Sequence, residues 1–315
     1  MLRIGVIGAG KWGSNHIRVF QELQSEGMCE LVGFSDRDRD KKGAFGCQYY
    51  ESYKELLKFV DAVSIAVPTD MHYEVVKDCL LAGKHVLVEK PITLNSEEAG
   101  ELIKISEREN LILASGYIYR FNPAVLKLKE RMSEFGTIHN ITMRYIHSHK
   151  PPRRDSGVIF NLASHLFDIL LFLIGVPKKL VCMKTNYISE EREDSAVILA
   201  DYGDFYASLE VSWLHPLKRR DAWIIASERK VYVDFLEQKM VEHFIEARQE
   251  ETINRGFADV KIDKKEPLKE ELKHFIVCSE RGKKPVNDAF SGYIVTKLCE
   301  IALKSANGSM MEVKI

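Results

Sequence analysis

The sequence predicts an α/β protein with two domains: a doubly wound parallel sheet at the N-terminus, then an α+β domain with a large, mostly antiparallel sheet. Up to about residue 119, short apolar runs typical of buried strands alternate with helical patterns, as in a parallel sheet covered on both faces. Beyond that point, long strand-like runs follow one another without intervening helices, which favours an antiparallel sheet. A chain of 315 residues is long enough for two domains, and we expect them at 1–119 and 120–315.

Composition and charge exclude several classes of protein. Apolar residues make up 45% of the chain, charged residues 29%, and the formal net charge is −1, so no basic excess indicates nucleic-acid binding. The longest apolar stretch, 166–176, is too short to span a bilayer, and no basic and apolar leader precedes the first strand. The six cysteines and ten histidines show no spacing typical of a metal site. We therefore expect a cytoplasmic protein with reduced cysteines and no metal.

A glycine-rich turn joins the first strand, 2–7, to a helical pattern with Ile17, Phe20 and Leu23 on one face. The turn has the pattern G-x-G-x-x-G between a strand and a helix, the context typical of a Rossmann dinucleotide-binding domain. Its glycines allow a tight turn, close approach of the backbone to a pyrophosphate and close helix packing, while the helix N-terminus attracts phosphate. We predict that a dinucleotide contacts the six residues of this turn: Gly8, Ala9, Gly10, Lys11, Trp12 and Gly13.

An acidic residue, Asp36, directly follows the second predicted strand, 31–35. A carboxylate at this position accepts hydrogen bonds from the ribose hydroxyls and repels a 2′-phosphate, so the sequence predicts NAD as the cofactor in preference to NADP. Arg37 and Arg39 follow at once and weaken that preference. Asp36 and Arg37 are therefore included among the predicted cofactor-binding residues. The alternative is that Asp36 is an ordinary acidic turn residue.

A predicted buried strand at 85–88 ends in Glu89, Lys90 and Pro91. The carboxyl ends of the strands in open parallel sheets form the ligand crevice, so Lys90 is a candidate for a functional role. A buried lysine is costly unless it is paired or functional, and its pKa moves readily. The alternative interpretation, that Lys90 caps a strand and faces water, has similar weight when this stretch is taken alone.

The second domain is expected to consist mainly of strands that pair in one open sheet. Several alternate in polarity, as strands do when one face of the sheet is wetter, and such a sheet offers a surface for another subunit. The expected strands are 138–147, 180–188, 195–202, 206–213, 223–226 and 231–235, and the expected helices are 123–135, 270–281 and 290–306. The polar stretch 250–267 is expected to be an exposed excursion.

A helix predicted at 157–175 carries Asn161, His165 and Asp168 at positions i, i+4 and i+7, on one face. Most of its other residues are apolar, so the helix is expected to be buried, and its polar residues need partners or a ligand. One interpretation is a satisfied network in the core. The other is an active site, in which a histidine takes the hydroxyl proton as a hydride leaves and a lysine ammonium stabilises the developing alkoxide.

The chain resembles the Gfo/Idh/MocA oxidoreductase family over nearly its whole length. The resemblance rests on the glycine-rich turn, Asp36, PTDMH at 68–72, AGKHVLVEKP at 82–91, YRFNP at 119–123, and the helix with His165 and Asp168. It implies a Rossmann domain followed by an α/β domain whose antiparallel sheet joins subunits into homodimers or homotetramers. It also implies cofactor contacts by residues near the ends of the strands: Val67, Pro68, Thr69, His72, Glu89, Lys90 and Arg120.

By matching position, the resemblance makes Lys90 the lysine of the EKP motif, near nicotinamide and substrate, and His165 the catalytic histidine. The family often has an aspartate four residues before that histidine, where this chain has Asn161. This change leaves open whether Lys90 or His165 is the general base. Asn161 is expected to orient the substrate or the histidine.

Within the family, PPRRDSGV at 151–158 and GKWGSNH near the N-terminus are similar to dehydrogenases that oxidise UDP-linked amino sugars at carbon 3. Arg153 and Arg154 have the charge and the fork geometry to bind a diphosphate. Exposed loop arginines without such a role fit the sequence equally well. The chain departs from the subgroup at Asn161 and Ser164, where that subgroup commonly has Asp and Pro.

These observations predict an NAD-dependent dehydrogenase of a sugar hydroxyl, most similar to enzymes of UDP-linked amino sugars, with Lys90, His165 and Asn161 as catalytic residues. One alternative is a dehydrogenase of free sugars or inositol-type polyols. Another is a non-catalytic NAD(H)-binding protein, which the change to Asn161 keeps open. Neither a nucleic acid nor a membrane is an expected partner. The predicted substrate-binding residues are Lys90, Tyr119, Arg153, Arg154, Asn161 and His165.

Overall fold

The computed structural model describes residues 1–148, 155–188, 190–247, 251–306 and 309–315, which divide into two compact units. The first unit comprises residues 1–118 together with 266–296, and the second comprises 119–265 together with 297–315. The expected domain limits were 1–119 and 120–315. The units differ from them in the segment 266–296, which was expected in the second domain and belongs to the first unit.

The first unit contains a six-stranded parallel sheet. Its strands are β1 (Leu2–Ile7), β2 (Cys29–Ser35), β3 (Gln48–Tyr50), β4 (Ala62–Ile65), β5 (His85–Glu89) and β6 (Leu113–Gly116). The helices between them are α1 (Lys11–Ser25), α2 (Tyr53–Leu56), α3 (His72–Leu81) and α4 (Ser96–Arg108). The strand order is β3-β2-β1-β4-β5-β6, with every neighbouring pair parallel, as is typical of a Rossmann sheet.

Apolar side chains fill both faces of this sheet. The predicted inner face of α1, with Ile17, Phe20 and Leu23, is fully buried on one of them. On the other, Val76 and Leu80 of α3 are fully buried against alternate residues of the same strands. Burial on both faces explains why these strands are continuous apolar runs rather than alternating ones. The predicted doubly wound sheet is confirmed.

The described residues of the second unit form a nine-stranded sheet, the helices α5 (Pro123–Arg131) and α6 (Ser164–Leu173), and the final residues, 297–304, of a further helix. Its strands are β7 (Ile138–Ser148), β8 (Lys179–Thr185), β9 (Ser195–Asp201), β10 (Tyr206–Ser212), β11 (Leu214–Ala226), β12 (Lys230–Asp234), β13 (Lys239–Ala247), β14 (Thr252–Val260) and β15 (Met311–Glu312). They lie in the order β14-β13-β12-β11-β7-β10-β9-β8-β15. Strands β7 and β10 pair in parallel and the other neighbours are antiparallel, so the predicted mostly antiparallel sheet is confirmed.

One prediction for the second sheet is wrong. The stretch 250–267 was expected to be an exposed excursion, but it contains β14, which pairs with β13 at the edge of the sheet. The side chains of β14 are mostly exposed, so its sequence lacks the alternation of apolar and polar residues that marks a half-buried strand. For this reason, the pattern of apolar residues does not identify an edge strand whose side chains are polar.

The segment 266–296 joins the first unit through α7 (Pro267–Arg281), which is followed by α8 (Ala289–Lys304). Leu272 and Phe275 of α7 are buried in the same apolar cluster as the inner face of α1. At the helix surface, the ammonium of Lys269 lies 3.0 Å from a carboxylate oxygen of Glu22 in α1 and 2.8 Å from one of Glu26, the residue that directly follows α1. The amphipathic pattern of α7 predicts a helix but cannot indicate which domain covers its apolar face.

Among the residues that the structure describes, no helix has both the length and the apolar character that crossing a membrane requires.

Candidate functional site

The glycine-rich turn of the first unit lies between the end of β1 and the start of α1. Gly8 has φ +88, a value that favours glycine. A Cβ at Gly13 would lie 1.8 Å from the Gly8 carbonyl oxygen, whereas a Cβ at Gly10, the N-cap of α1, would have no atom within 4 Å. Gly8 and Gly13 are thus required by the fold itself, and the space at Gly10 fits the close approach of a pyrophosphate.

Asp36 links this turn to the end of β2. Its Oδ2 accepts hydrogen bonds from the Ala9 N–H at 2.6 Å and from the Lys41 ammonium at 2.8 Å, and its Oδ1 accepts one from the Asp38 N–H at 2.8 Å. Burial raises the pKa of Asp36, but Lys41 and the two N–H groups lower it below its ordinary value, so the carboxylate is ionised at neutral pH. Sequence analysis missed Lys41, for which the only signal was a cation shortly after the acid.

The two arginines that follow Asp36 differ in their surroundings. Arg37 is exposed, and the guanidinium of Arg39 forms an ion pair with the Glu51 carboxylate. Arg39 was expected to weaken the preference for NAD. Its charge is instead engaged by Glu51, so Lys41 is the cation in direct contact with Asp36.

The loop after β4, which includes Val67, Pro68 and Thr69, is tied to the end of β5 by His72. The His72 side chain is buried, with Nδ1 2.8 Å from the Pro91 carbonyl oxygen and Nε2 3.0 Å from the Val67 carbonyl oxygen. Both ring nitrogens therefore face backbone acceptors within the first unit. His72 thus connects the loop after β4 to the residue after Lys90, and the cofactor contacts predicted for His72 and these loop residues stay predictions.

Lys90 follows directly after β5 and is 7% exposed. This burial excludes the interpretation that Lys90 is a strand cap facing water. The preceding Glu89 is also buried, and its Oε2 accepts a hydrogen bond from the Lys90 N–H at 3.1 Å. The peptide bond between Lys90 and Pro91 is cis.

The Glu89 carboxylate contacts a buried polar network that sequence analysis did not identify. His16, on the inner face of α1, is fully buried, with Nε2 3.1 Å from the Glu89 Oε1 and Nδ1 2.6 Å from the Ser64 hydroxyl of β4. Burial raises the pKa of Glu89, but the contact with His16 and the neighbouring Lys90 lower it below its ordinary value. Helix α1 and strands β4 and β5 thus fix the backbone from which Lys90 projects.

In the second unit, the predicted helix 157–175 is not one continuous α-helix. A π-helical turn, Ile159–Ala163, precedes α6, and the first N–H of α6 hydrogen-bonds to the Ile159 carbonyl five residues back. The wider turn breaks the spacing by which Asn161 was placed on one α-helical face with His165 and Asp168. π-turns of this kind occur frequently at functional sites.

Asp168 and Arg120 form a buried ion pair. Oδ1 of Asp168 lies 2.8 Å from Nε and 2.7 Å from Nη2 of Arg120, whose guanidinium also lies 5.3 Å from the centroid of the Phe172 ring. Arg120 was predicted to approach the nicotinamide, and the structure shows it bound to α6. Its cofactor contact stays a prediction.

His165, the first-turn residue of α6 predicted to be catalytic, is buried between two tyrosines. Its ring stacks on Tyr145 of β7 with centroids 5.4 Å apart and meets Tyr119 edge to face at 5.1 Å. Asn161 is half-buried in the π-turn. Tyr145 was not predicted as a site residue. The alternating pattern of a strand shows which side chains face inward, but it does not show which residues they contact.

The predicted site residues divide between the two units. Lys90 and the cofactor-binding turns belong to the first unit, whereas Tyr119, Arg120, Asn161 and His165 belong to the second. Arg153 and Arg154 lie outside the described residues. Across the described ranges, no group of three or more His, Cys, Asp or Glu side chains is arranged to hold a metal ion.

Comparison with known proteins gives two matching family models. Residues 2–117 match a model described as "Oxidoreductase family, NAD-binding Rossmann fold", and residues 125–232 match one described as "GFO/IDH/MocA C-terminal domain". Together they cover most of both the N-terminal and the C-terminal parts of the chain.

Several curated relatives carry names that state a reaction. UDP-N-acetylglucosamine 3-dehydrogenase of Acidithiobacillus ferrooxidans is 30% identical over 240 residues, which are 75% of this chain and 74% of the relative. Myo-inositol 2-dehydrogenase of Thermotoga maritima is 31% identical over 185 residues, which are 55% of each chain. Both names are those of dehydrogenases.

Solved structures extend the similarity to the whole chain. The structure of the A. ferrooxidans UDP-N-acetylglucosamine 3-dehydrogenase has a TM-score of 0.85 and 26% identity, and the match covers 97% of this chain and 99% of that one. The WlbA dehydrogenase from Bordetella pertussis, in complex with NADH and UDP-GlcNAcA, has a TM-score of 0.82 and 20% identity over 100% of this chain and 99% of that one, which shows a shared fold.

Proposed function

Because the chain belongs to the Gfo/Idh/MocA oxidoreductase family, we propose that it transfers a hydride between a sugar hydroxyl carbon and a nicotinamide dinucleotide. The observation that carries the proposal is the buried Lys90 at the carboxyl end of β5, fixed through Glu89 and His16. In open parallel sheets this edge is where ligands bind. Removing a lysine ammonium from water costs free energy, so a buried lysine at this edge supports a chemical role.

The residues of the first unit fit a dinucleotide. The space at Gly10 and the uncapped start of α1 suit a pyrophosphate, and the ionised Asp36 suits ribose hydroxyls. The bound nicotinamide supplies the hydride chemistry, and the protein supplies binding, orientation and proton transfer.

NAD in preference to NADP is part of the proposal. The Asp36 carboxylate repels a 2′-phosphate, and this effect opposes NADP. Lys41, whose ammonium lies 2.8 Å from Asp36, offsets part of that repulsion, and exposed Arg37 adds a further cation. We expect a preference for NAD that is moderate rather than absolute.

Lys90 and His165 handle the proton in this proposal. The Lys90 ammonium stabilises negative charge on the reacting oxygen, and the imidazole of His165 accepts or returns the hydroxyl proton. Exchange of these two roles between the residues is equally compatible with the chemistry. Asn161, in the π-turn before His165, orients the substrate or the histidine through its amide.

A UDP-linked amino sugar, oxidised at carbon 3, is the proposed substrate. The similarity to the A. ferrooxidans UDP-N-acetylglucosamine 3-dehydrogenase supports this choice, because it spans about three quarters of each chain. Arg153 and Arg154 are proposed to bind the diphosphate. A polyol such as an inositol is the second candidate, supported by the T. maritima myo-inositol 2-dehydrogenase, whose similarity covers 55% of each chain.

A substrate panel tests the proposal. Purified protein is examined for bound nicotinamide by absorbance and fluorescence, then mixed with NAD or NADP and either UDP-sugars or free sugars and inositols. We expect reduced nicotinamide to form with NAD and a UDP-amino sugar. Formation with free polyols alone would favour the second candidate, and cofactor binding without any turnover would favour a non-catalytic NAD(H)-binding protein.

Substitution of Lys90 tests the assigned chemistry. We expect Lys90→Met to reduce turnover by a factor of about 100 or more, because it removes a charged group at the reacting oxygen, while NAD affinity changes little. Lys104→Met, at an exposed position of α4, is the matched control and should leave turnover unchanged. A fully active Lys90→Met protein would refute the assignment.

Assembly into a homodimer or homotetramer through the nine-stranded sheet is also proposed. Met183, Val197 and Leu199 are exposed by 64%, 45% and 43% on neighbouring strands β8 and β9. Exposed apolar side chains that are adjacent on one sheet face are typical of a surface that packs against another subunit.

A further inference from the structure

We propose that Arg220 binds an anionic group of the sugar substrate, a carboxylate or a phosphate, in the side-chain cluster that contains His165. Arg220 lies in β11, where it is the direct cross-strand partner of Tyr145 in β7. Sequence analysis did not select either residue. The inference deepens the proposed function and rests on it, because it states the charge of the substrate at the same site.

The cation and the candidate catalytic histidine share both of their aromatic neighbours. The Arg220 Cζ lies 4.3 Å from the centroid of the Tyr145 ring, and Nη1 donates a hydrogen bond to the Tyr119 hydroxyl at 3.2 Å. His165 stacks on the Tyr145 ring and meets Tyr119 edge to face, with centroids 5.4 Å and 5.1 Å away. A substrate group that reaches Arg220 therefore lies in the same cluster as His165.

The carboxylate next to Arg220 in sequence does not neutralise it. Side chains alternate between the two faces of a sheet, so Asp221 points to the face opposite Arg220. There Asp221 accepts two hydrogen bonds from the Arg144 guanidinium, at 2.8 and 2.7 Å. The pairs Arg144–Asp221 and Tyr145–Arg220 thus occupy opposite faces of the same two strands.

Asp234 of β12 is the other carboxylate whose charge reaches the cluster, where it acts on Tyr119. Its Oδ1 accepts hydrogen bonds from the Leu236 and Glu237 N–H groups, both at 2.9 Å. Within the ranges described by the structure, Arg220 forms no ion pair with any carboxylate. In the part of the chain that the structure describes, this cation thus has no carboxylate partner of its own.

The two tyrosines do not supply the missing negative charge. Burial raises the pKa of Tyr145 well above its ordinary value, and burial also raises the pKa of Tyr119, although the Arg220 cation lowers it in part. Both hydroxyls are therefore neutral at neutral pH, whereas a guanidinium is always charged. The cluster carries a net positive charge beside His165.

The hydrogen-bond donors of Arg220 point to the same conclusion. Its Nε is buried and has no acceptor in the described part of the chain, and Nη1 has the Tyr119 hydroxyl. A buried donor without an acceptor is costly. Carboxylates and phosphates bind the guanidinium fork through two parallel hydrogen bonds, which would satisfy the donors and the charge together.

Equilibrium binding to the full chain with NAD bound tests the proposal without requiring turnover. Calorimetric titrations use UDP, UDP-N-acetylglucosamine, its uronic acid and neutral N-acetylglucosamine. We expect Arg220→Met to weaken the binding of at least one class of anion roughly 10- to 100-fold, because the substitution removes hydrogen bonds from a charged group. The affinity for the neutral sugar should not change. Arg220→Lys keeps the charge without the fork and should give an intermediate loss.

The neighbouring arginine provides a matched control. Arg219 lies on the opposite face of β11, with Nη1 3.8 Å from Asp221, and its side chain is 45% exposed. Arg219→Met should bind every ligand as the unmodified protein does. Arg220→Lys also keeps the test valid if Arg220→Met does not fold, because a buried cation is retained.

The pattern of losses identifies the anion. If Arg220→Met loses affinity for UDP and for both UDP-sugars, the proposal is supported and the anion is the diphosphate. If it loses affinity for the uronic acid alone, the proposal is supported and the anion is the carboxylate. Unchanged affinity for all anions, or an equal loss for the neutral sugar, would overturn it while leaving the dehydrogenase proposal intact. Arg220-dependent binding without any NADH formation would sustain the anion site and refute the proposed reaction.

Discussion

A single oxygen of Asp168, Oδ1, faces both Nε and Nη2 of Arg120, at 2.8 and 2.7 Å. The side chains are 0% and 5% exposed, so the pair is shielded from water. It connects α6 to the turn Ile118–Phe121, which also carries Tyr119. Helix α6 carries His165, and Tyr119 contacts the His165 ring. The ion pair therefore connects the helix that carries the histidine to the turn that carries its aromatic neighbour.

Replacement of Asp168 by Asn should strongly destabilise the second unit. The substitution removes the negative charge from a buried ion pair, and the loss of one partner of such a pair costs about 3–5 kcal/mol of unfolding free energy. Denaturant unfolding measures the change. The control is Glu130→Gln, which removes the exposed partner of Lys127 and should cost at most about 1 kcal/mol. A loss below about 1 kcal/mol for Asp168→Asn would contradict the role given to the pair.

Glu89 should make stability depend on pH in the acid range. Its pKa in the folded protein is below the ordinary value of about 4.3, so ionisation stabilises the fold above that pH, and this contribution is lost as the pH falls through the folded pKa. Glu89→Gln should therefore be less stable at pH 7, by about 1.5–3 kcal/mol, and less sensitive to acid. Unfolding between about pH 7 and 3 tests this, with exposed Glu55→Gln as the control. Parallel pH profiles for all three proteins would contradict it.

Two glycines of the same turn should respond differently to alanine. Gly13→Ala places a methyl group 1.8 Å from the Gly8 carbonyl oxygen and should cost about 1–3 kcal/mol of stability. Gly10→Ala has room for the methyl group, so stability should change by less than about 0.5 kcal/mol, while NADH affinity falls because the methyl group obstructs the pyrophosphate. Unfolding curves and NADH fluorescence titrations separate the effects. Unchanged NADH affinity in Gly10→Ala would refute the assigned phosphate position.

The nine-stranded sheet should join subunits. A double substitution, Val197→Lys with Leu199→Lys, places two cations among exposed apolar side chains of β9 and should convert oligomers to monomers. Sedimentation velocity at micromolar concentration reports the state. Leu126→Lys, at a position of α5 that is 45% exposed, is the control and should not change it. An unmodified protein that is already monomeric would contradict the proposed interface.

The first sheet was predictable because each buried strand and helix carries its own local pattern. The strands are continuous apolar runs, and Ile17, Phe20 and Leu23 repeat with helical spacing. The glycine-rich turn was recognisable because the close approach of Gly13 to Gly8 permits no other residue there. Requirements of this kind are local, so the sequence alone expresses them.

The misses share a different cause, since they depend on residues distant in sequence. Strand and helix packing determines these contacts: Lys41 with Asp36, His16 with Glu89, and Arg220 with the Tyr145 ring. Polar edge strand β14 has no alternating pattern because most of its side chains are exposed. The π-turn before α6 leaves no mark in the spacing of apolar residues, since nearly all positions there are apolar.

We propose that this protein moves a hydride from carbon 3 of a UDP-linked amino sugar to NAD. The most direct test mixes the protein and NAD with UDP-N-acetylglucosamine, or its uronic acid, deuterated at carbon 3, and examines the reduced cofactor by mass spectrometry. We expect the unmodified protein to form deuterated NADH and Lys90→Met to form none. NADH without deuterium, or no NADH while sugar and cofactor both bind, would contradict it.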